Sequence, residues 1–324
     1  MKTSGRFSSL IKNRNKFDTS LPDLSSEKWR QTLHTDFTKI KSTDELHAEK
    51  WVASPHGFRA YEYWCDKMLE FTENGLIIHS EKRTDHRCEI CKVSNGIFTG
   101  GIETRNTFEQ AFGYFEARVV VPRGTGMWSA FWLQSDGTFK VGNGGKDGSE
   151  IDIYESSFVR KNPTKTGQAI HFDSYKAPFH RCIGNVFETG TNLYDGKEHT
   201  YALKWTPSEY VMYLDNKPVW ATNAGGVSRV PSFLRLTVEI RNTKYGPYAQ
   251  KIGTFEDHAD GTNDFIIKEV NVYQNADYEK HIKSQTDFKD KEKLYKTAVA
   301  GAVISGICAV STVAGVVLKR FLRK

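Results

Sequence analysis

Three carboxylates lie within six residues of strand-like sequence at positions 150–155, which read Glu-Ile-Asp-Ile-Tyr-Glu. The Ile and Tyr residues between the acids favour an extended backbone. Because the side chains of a strand alternate between two faces, Glu150 and Asp152 point the same way and Glu155 points the other way. One extra residue, a β-bulge, would return Glu155 to the face of the other two acids. The segment therefore predicts a strand whose acids share one face if a bulge interrupts it.

Acids crowded on one face of a strand repel one another and resist ionising together, which costs stability. The same arrangement suits chemistry that needs one charged carboxylate beside a protonated one. Glycoside hydrolysis with retention of configuration is chemistry of this kind, with its two carboxyl groups roughly 5–5.5 Å apart. The spacing alone is also compatible with a solvated strand face or with a divalent-ion site, so the surrounding sequence has to decide.

The segments around the acids carry a family pattern. Upstream, residues 126–133 read Gly-Met-Trp-Ser-Ala-Phe-Trp-Leu, and they follow a strand-like run at 112–122. Downstream, the agreement continues through residues 170–172, 199–207, a hairpin at 213–219 and a terminal strand at 264–274. With the bulged Glu-x-Asp-x-x-Glu spacing, the sequence resembles family 16 of the glycoside hydrolases, in particular its laminarinase-like members, over about residues 35–275.

The resemblance implies an all-β fold, a β-jelly-roll sandwich with a concave substrate cleft. The many short strand-like runs and turn-rich clusters favour the same fold class. Position by position, the resemblance implies that Glu150 is the nucleophile and Glu155 the general acid/base, with Asp152 between them and hydrogen-bonded to the nucleophile. These roles require that Glu150 is ionised while Glu155 keeps its proton near neutral pH.

Five further residues are candidates for binding the substrate. Trp128 and Trp132 share a strand face, where their rings would form a sugar platform, although core packing is the ordinary role of large aromatics. His171 matches a histidine near the cleft in the family, although a lone histidine is more often structural. Glu239 and Arg241 belong to the polar face of the alternating segment at 234–241, which is merely solvated unless it lines the groove.

The chain divides into a central region and charged ends. Its net charge of +6 combines +4 in residues 1–30, −3 in residues 31–275 and +5 in residues 276–324. The slightly acidic centre argues against a nucleic-acid groove and, more weakly, against strongly sulfated substrates. We expect a polar basic segment at 1–34, the catalytic domain at 35–275, a charged linker at 276–297, a transmembrane helix at 298–318 and a basic tail at 319–324.

The C-terminal segment at 298–318 contains 21 consecutive residues without a charge, close to the roughly 20 that span a bilayer. A buried hairpin or an amphipathic helix is the alternative, but the run has no polar face. Small residues four apart, such as Gly301 and Ser305, weakly indicate helix-mediated self-association. Basic residues on both sides of the run balance, so the side of the membrane that carries the enzyme stays open.

The N-terminal residues 1–17 contain no apolar core of the kind that a signal peptide has. The sequence as written therefore predicts a tail-anchored, single-pass membrane protein with its enzyme in the cytosol. This placement conflicts with a glucan substrate that is expected outside the cell or in a storage compartment.

Five cysteines are present, at positions 65, 88, 91, 182 and 308. Cys88 and Cys91 form a Cys-x-x-Cys pair, and with Cys182 and a histidine they offer a zinc ligand set. Free thiols or a disulfide are the simpler alternatives, so we expect no metal and no cofactor.

The sequence predicts a membrane-tethered retaining endo-glycosidase that hydrolyses internal β-glucosidic bonds of a polysaccharide. The leading substrate is β-1,3-glucan, and mixed-linkage β-1,3-1,4-glucan is the next. The alternatives are a transglycosylase on the same site and a non-catalytic glucan-binding protein, which typically lacks the acids. A cluster that mainly binds metal is disfavoured, because the apolar residues between the acids suit a strand better than a calcium loop.

Overall fold

The computed structural model describes residues 16–84, 90, 92–93, 95–156, 162–241 and 254–297. Across these ranges the chain folds into two large antiparallel sheets that share one apolar core, together with a small third sheet. Both large sheets contribute residues to this core, so the architecture is a sandwich. The all-β sandwich that the sequence predicts is confirmed.

The first sheet contains eight of the described strands, numbered here along the chain. They are β1 (Trp29–Asp36), β5 (Leu69–Thr72), β6 (Gly75–Ile78), β10 (Gly113–Val120), β15 (Glu198–Trp205), β16 (Tyr210–Leu214), β17 (Lys217–Thr222) and β19 (Phe265–Asn275). Their spatial order is β17-β16-β15-β10-β19-β6-β5, and β1 also pairs with the long strand β19.

The second sheet contains seven of the described strands and carries the candidate site. They are β2 (Val52–Ala53), β9 (Gly101–Glu103), β11 (Met127–Gln134), β12 (Glu150–Glu155), β13 (Lys165–Phe172), β14 (Arg181–Glu188) and β18 (Phe233–Ile240). Their spatial order is β14-β13-β12-β11-β18-β9-β2, which places the acid-bearing strand β12 near the middle of the sheet.

The third sheet and the helices are short. The sheet consists of β3 (Gly57–Phe58), β4 (Tyr63–Trp64), β7 (Glu81–Arg83) and β8 (Gly96–Thr99). The helices are α1 (Thr43–Ala48), α2 (Ala276–Glu279) and the 3₁₀ helices Asp66–Met68, Asp136–Phe139, Gly144–Asp147 and Gln285–Asp287. Helix α1 begins after Ser42, whose side chain accepts a hydrogen bond from the backbone N–H of Glu45 and so satisfies one of the unpaired donors of its first turn.

Strand alternation explains how the second sheet presents one apolar and one polar face. In β18, Leu234, Leu236, Val238 and Ile240 are fully buried in the core. Each such side chain contributes roughly 1.5–3 kcal/mol through removal from water. The intervening residues of β18 point to the opposite face, so the apolar residues fix the register that turns the polar ones toward the cleft.

The ends of the central domain extend beyond the predicted limits. Strand β1 begins at Trp29, ahead of the boundary expected at residue 35. Earlier still, the Nζ of Lys204 donates to the carbonyl of Ser20 at 2.7 Å. At the other end, the backbone N–H of Lys291 donates to the carbonyl of Val141 at 3.0 Å. Residues expected to form a linker at 276–297 thus pack against the sandwich, because their backbone donors and acceptors pair with its loops.

In the part of the chain that the structure describes, no helix combines the length and the apolarity needed to cross a bilayer. The predicted span at 298–318 and the basic tail at 319–324 lie outside the described residues.

Candidate active site

A β-bulge in β12 brings the three acids to one face of the second sheet. Along β11, the neighbours Phe131 and Trp132 pair with Tyr154 and Asp152, which skips one residue of β12. The pairing of β12 with β13 shows the same extra residue between Asp152 and Glu155. The bulge that the sequence required is therefore present.

The apolar residues of β12 show where the extra residue is accommodated. Ile151, Ile153 and Tyr154 are all fully buried in the core. A regular strand would have turned Tyr154 toward the cleft, because neighbouring side chains alternate. The bulge directs both Ile153 and Tyr154 inward, and Glu155 then faces the cleft beside Glu150 and Asp152.

All eight site residues predicted from the sequence line one cleft of about 600 Å³. They are Glu150, Asp152, Glu155, Trp128, Trp132, His171, Glu239 and Arg241. The cleft crosses strands β13, β12, β11 and β18 of the second sheet, and it is also lined by Trp64 of the third sheet and by Arg59 between β3 and β4. The structure therefore gathers side chains that lie up to 113 positions apart, from Trp128 to Arg241, around a single space.

The pKa values of Glu150 and Glu155 are both higher than those of exposed glutamates. Burial raises the pKa of Glu150 to about 7, and a hydrogen bond donated by the hydroxyl of Tyr175 opposes this rise. Burial likewise raises the pKa of Glu155 to about 7, and the indole N–H of Trp128, which donates to Oε1 at 2.7 Å, opposes it. Two glutamates with a raised pKa in one cleft can share a single proton near neutral pH.

Asp152 is the most deeply buried of the three acids. Burial and the neighbouring charge of Glu150 raise its pKa well above the usual aspartate value. Its Oδ2 atom has no hydrogen-bond partner among the described residues. The expected hydrogen bond to Glu150 is not formed, because Glu150 accepts its hydrogen bond from Tyr175 instead and two carboxylates have no proton to share unless one is protonated.

The two tryptophans differ in their surroundings. The ring of Trp128 is partly exposed in the cleft, and the guanidinium of Arg241 lies 5.1 Å from its centre. Trp132 is nearly buried, its indole N–H donates to the hydroxyl of Thr237 at 2.9 Å, and Arg235 covers its ring at 4.3 Å. Trp128 thus offers more of its ring to a ligand than Trp132 does.

Glu239 and Arg241 form part of an ion-pair cluster at the cleft wall. One oxygen of Glu239 lies 2.8 Å from Arg59 Nη2, and the other lies 2.7 Å from Arg241 Nη2. Deeper in the cleft, Arg235 pairs with Glu103 at 2.8 Å. These pairs hold the cleft arginines in place and leave little net positive charge in the groove.

His171 lies beside Asp152, with its Nε2 atom 3.4 Å from Asp152 Oδ2. Its Nδ1 atom lies 2.9 Å from His180 Nε2. Burial and the nearby His180 lower the pKa of His171 to about 4, so the ring is neutral under ordinary conditions. Of the cysteines considered for a zinc site, Cys182 has its thiol 3.6 Å from His171 Nε2, whereas Cys88 and Cys91 lie outside the described residues.

Sequence reasoning missed several cleft residues. Tyr175, which donates to Glu150, belongs to an irregular segment after β13, and Gln134 in turn donates to the Tyr175 hydroxyl at 2.8 Å. Trp64 comes from β4 of the third sheet and Arg59 from the segment that joins β3 to β4, both far away in sequence. Only Arg235 had a visible signal, since it shares the polar face of β18 with Glu239.

Comparison with curated proteins finds endo-glucanase relatives at modest identity. A "Beta-glucanase" from Rhodothermus marinus is 31% identical over 113 residues, which cover 35% of this chain and 38% of that protein. An "Endo-1,3-1,4-beta-glycanase ExsH" from Rhizobium meliloti is 25% identical over 252 residues, covering 69% of this chain and 50% of that protein. The chain thus spans half or less of the length of these relatives.

Comparison with solved structures finds the same fold. Porphyranase B from Zobellia galactanivorans matches with a TM-score of 0.61 and 19% identity over 79% of this chain and 96% of that one. The laminarinase catalytic domain from Thermotoga maritima matches with a TM-score of 0.56 and 20% identity over 77% of this chain and 99% of that one. The sequence model described as "Glycosyl hydrolases family 16" matches residues 60–234, more than half of the chain, and the chain therefore belongs to this family.

Proposed function

We propose that the protein is a retaining endo-β-glucanase, with β-1,3-glucan or mixed-linkage β-1,3-1,4-glucan as its substrate. The observation that carries the proposal is the bulge in β12, which brings Glu150 and Glu155 to one face with both pKa values raised to about 7. Double displacement requires one carboxylate to attack and a neighbouring carboxyl to donate a proton, and this pair meets both needs at neutral pH.

In the first step, the Glu150 carboxylate attacks the anomeric carbon while the glycosidic C–O bond breaks and Glu155 passes its proton to the leaving oxygen. The hydroxyl of Tyr175 donates to Glu150 and so favours its ionised, nucleophilic form. The indole N–H of Trp128 holds Oε1 of Glu155 at 2.7 Å and orients the acid. Burial and the neighbouring Glu150 and Glu155 raise the pKa of Asp152, so the three acids of the cluster do not all ionise together.

In the second step, the ionised Glu155 takes a proton from water, and the water oxygen attacks the anomeric carbon. The ester bond to Glu150 breaks, and the glutamate leaves as a carboxylate. Configuration at the anomeric carbon is inverted twice and so retained. The partly exposed ring of Trp128 is the surface that supports a sugar ring next to this reaction, because an aromatic face packs well against the C–H groups of a pyranose.

A neutral glucan suits the charges of the cleft better than a sulfated chain does. Each arginine that lines the cleft among the described residues already faces a carboxylate of the protein. The pairs are Arg59 and Arg241 with Glu239, Arg235 with Glu103, and Arg105 with Asp136. A sulfated substrate would have to compete with these carboxylates, whereas neutral hydroxyl groups can accept and donate hydrogen bonds without breaking the pairs. The names of the curated relatives support the same substrate class.

The proposal is tested by incubating the full chain with laminarin, mixed-linkage glucan, xyloglucan, agarose and carrageenan and then analysing the products. We expect oligosaccharides from laminarin or mixed-linkage glucan, with the β-anomer formed first. Products longer than the starting chains would identify a transglycosylase. Binding without any cleavage would contradict the proposal and identify a glucan-binding protein.

The uncharged run at 298–318 supports a separate proposal, that the enzyme is anchored in a membrane by this segment. Its removal together with the tail should release an active enzyme into the soluble fraction. A truncated protein that stays with membranes would contradict the anchor.

A further inference from the structure

A row of metal-binding side chains crosses three neighbouring strands at one end of the catalytic cluster. Glu150 of β12 lies opposite His171 of β13, and His171 lies opposite Cys182 of β14. Asp152 lies two residues further along β12, on the same face as Glu150. The sheet register thus places two carboxylates on one side of the imidazole and a thiol on the other, and the reaction proposed above uses neither the imidazole nor the thiol.

Two distances from the imidazole of His171, to Asp152 and to Cys182, match the ligand spacing of a tetrahedral zinc ion. From Nε2 of His171, Oδ2 of Asp152 lies 3.4 Å away, Sγ of Cys182 3.6 Å and Oε1 of Glu150 3.9 Å. The ligand atoms of Glu150, Asp152 and His171 all lie within 4.8 Å of one another, whereas the exposed thiol of Cys182 lies outside this group and would join it by a rotation of its side chain. Usual zinc bond lengths place tetrahedral ligands roughly 3.4 Å apart for nitrogen–oxygen pairs and about 3.6 Å apart for sulfur–nitrogen pairs.

Two of these atoms lack partners that would compete with a cation. Asp152 is only 4% exposed, yet its Oδ2 atom has no hydrogen-bond partner among the described residues. His171 contacts His180 through Nδ1, and when that nitrogen donates, the lone pair of Nε2 faces the carboxylates. A histidine whose other nitrogen is hydrogen-bonded is the usual form of a metal ligand, because the second bond fixes the tautomer and the ring orientation.

We propose that His171, Asp152 and Cys182 form a zinc-type metal site, with Glu150 as the fourth ligand, and that the bound ion reversibly inhibits the enzyme. On binding, the thiol proton of Cys182 and any proton shared by the two acids pass to the solvent. Zinc is favoured over calcium or magnesium, since those ions prefer oxygen ligands in larger number. The thiol and the open cleft give the ion access, because Cys182 is exposed on β14.

Inhibition follows from the ligands that the ion occupies. A carboxylate bound to zinc is a poor nucleophile, so Glu150 is withheld from the anomeric carbon while the metal is present. The ion also occupies space next to the point where the bound sugar reacts. The inhibitory effect rests on the proposed role of Glu150, whereas metal binding itself does not.

Binding is tested without substrate, by titrating the reduced full chain with cobalt(II), a spectroscopic substitute for zinc. We expect a thiolate-to-cobalt charge-transfer band in the near ultraviolet that saturates at one ion per chain. The band should disappear in Cys182→Ser and in Cys182→Ala, and His171→Gln should weaken binding at least about ten-fold. The matched control is the double variant Cys88→Ser/Cys91→Ser, which removes the other cysteine pair and should keep the band.

Inhibition is tested on the same proteins with zinc chloride, with laminarin as the substrate. Zinc should inhibit the wild type reversibly, with activity restored by EDTA, and Cys182→Ser should need at least about ten-fold more zinc. Thermal melting checks that each variant folds. A band that survives in both Cys182 variants, or vanishes in the Cys88→Ser/Cys91→Ser variant, would overturn the site. Equal zinc sensitivity of the wild type and Cys182→Ser would show that this site does not mediate inhibition. If the wild type gives the cobalt band but does not cleave laminarin, the result counts only against the proposed function.

Discussion

Asp36 at the edge of the first sheet and the cleft acids of the second sheet have pKa values shifted in opposite directions. On the first sheet, Lys39 and Thr38 surround Asp36 and lower its pKa to about 2, and Glu269 contacts Arg118 at 2.9 Å. In the cleft of the second sheet, burial raises the pKa of Glu150 and of Glu155 to about 7. The acids are chemically alike, so their surroundings alone set the direction of the change.

This difference separates carboxylates that stabilise the fold from those suited to chemistry. An acid that gains cationic or hydroxyl partners on folding is stabilised as a carboxylate. An acid that loses water without full compensation is destabilised as a carboxylate and keeps its proton to higher pH. The second sheet tolerates three such acids because the apolar face of β12 anchors them in a well-packed core.

The largest effect is expected from Glu150→Gln, which keeps the size of the side chain but removes the nucleophilic carboxylate. We expect kcat on laminarin to fall by at least about 10⁴-fold, while glucan binding and the unfolding midpoint change little. The matched control is Glu188→Gln, an exposed glutamate of β14 away from the cleft, which should retain full activity. A Glu150→Gln enzyme with near-normal turnover would contradict the assignment of Glu150 as the nucleophile, and with it the view that the cleft acids serve chemistry.

A large effect on stability is expected from Asp152→Asn. A carboxyl with a raised pKa in the folded state binds its proton more tightly when folded, so stability falls as the pH rises from the unfolded pKa through the folded one. Asparagine cannot ionise, and the variant should be more stable than the wild type by about 1–3 kcal/mol at about pH 8 and similar to it near pH 4. Urea unfolding across this range measures the difference, and parallel curves for the two proteins would contradict it.

A moderate effect is expected from Trp128→Phe, which keeps the ring but removes the N–H that donates to Glu155. Because this hydrogen bond lowers the pKa of Glu155, its loss should raise that pKa further and move the alkaline limb of the kcat/KM profile to higher pH. The maximum rate should fall by about ten-fold as the acid loses its orientation. Trp220→Phe, on β17 of the other sheet, is the control and should leave the profile unchanged. An unshifted alkaline limb in Trp128→Phe would show that the hydrogen bond from Trp128 does not set the pKa of Glu155.

The smallest effect is expected from Asp36→Asn on the first sheet, and it has the opposite sign to that of Asp152→Asn. The lowered pKa of Asp36 gives stability that is present above the unfolded pKa and is lost as the pH falls toward 2. The variant should be less stable than the wild type at neutral pH, by under about 1 kcal/mol, because the site is near the surface. Urea unfolding at neutral and acidic pH tests this, and a stabilised variant at neutral pH would contradict it.

The sequence predicted most of the second sheet and less of what surrounds it. The alternation at 234–241 predicted which residues of β18 face the core, and the spacing of the acids required the bulge that the structure contains. These are local patterns, set by the period of a strand. Tyr175 and Arg59 reach the cleft from irregular or distant segments, and long-range folding alone decides that they meet Glu150 and Glu239. The start of β1 at Trp29 was missed for a similar reason, since its pairing with β19 joins residues more than 230 positions apart.

The roles of Glu150 as nucleophile and Glu155 as acid/base are tested most directly by azide rescue. In this measurement, alanine variants of the two residues act on an activated aryl β-glucoside in the presence of azide. Glu155→Ala should still form the glycosyl-enzyme, and azide should then attack from the face that water uses, giving a β-glycosyl azide. Glu150→Ala should let azide occupy the space of the missing nucleophile and give the α-glycosyl azide. Observation of these two products would support the assignment of both residues. Exchanged anomers, or no azide product from either variant, would contradict it.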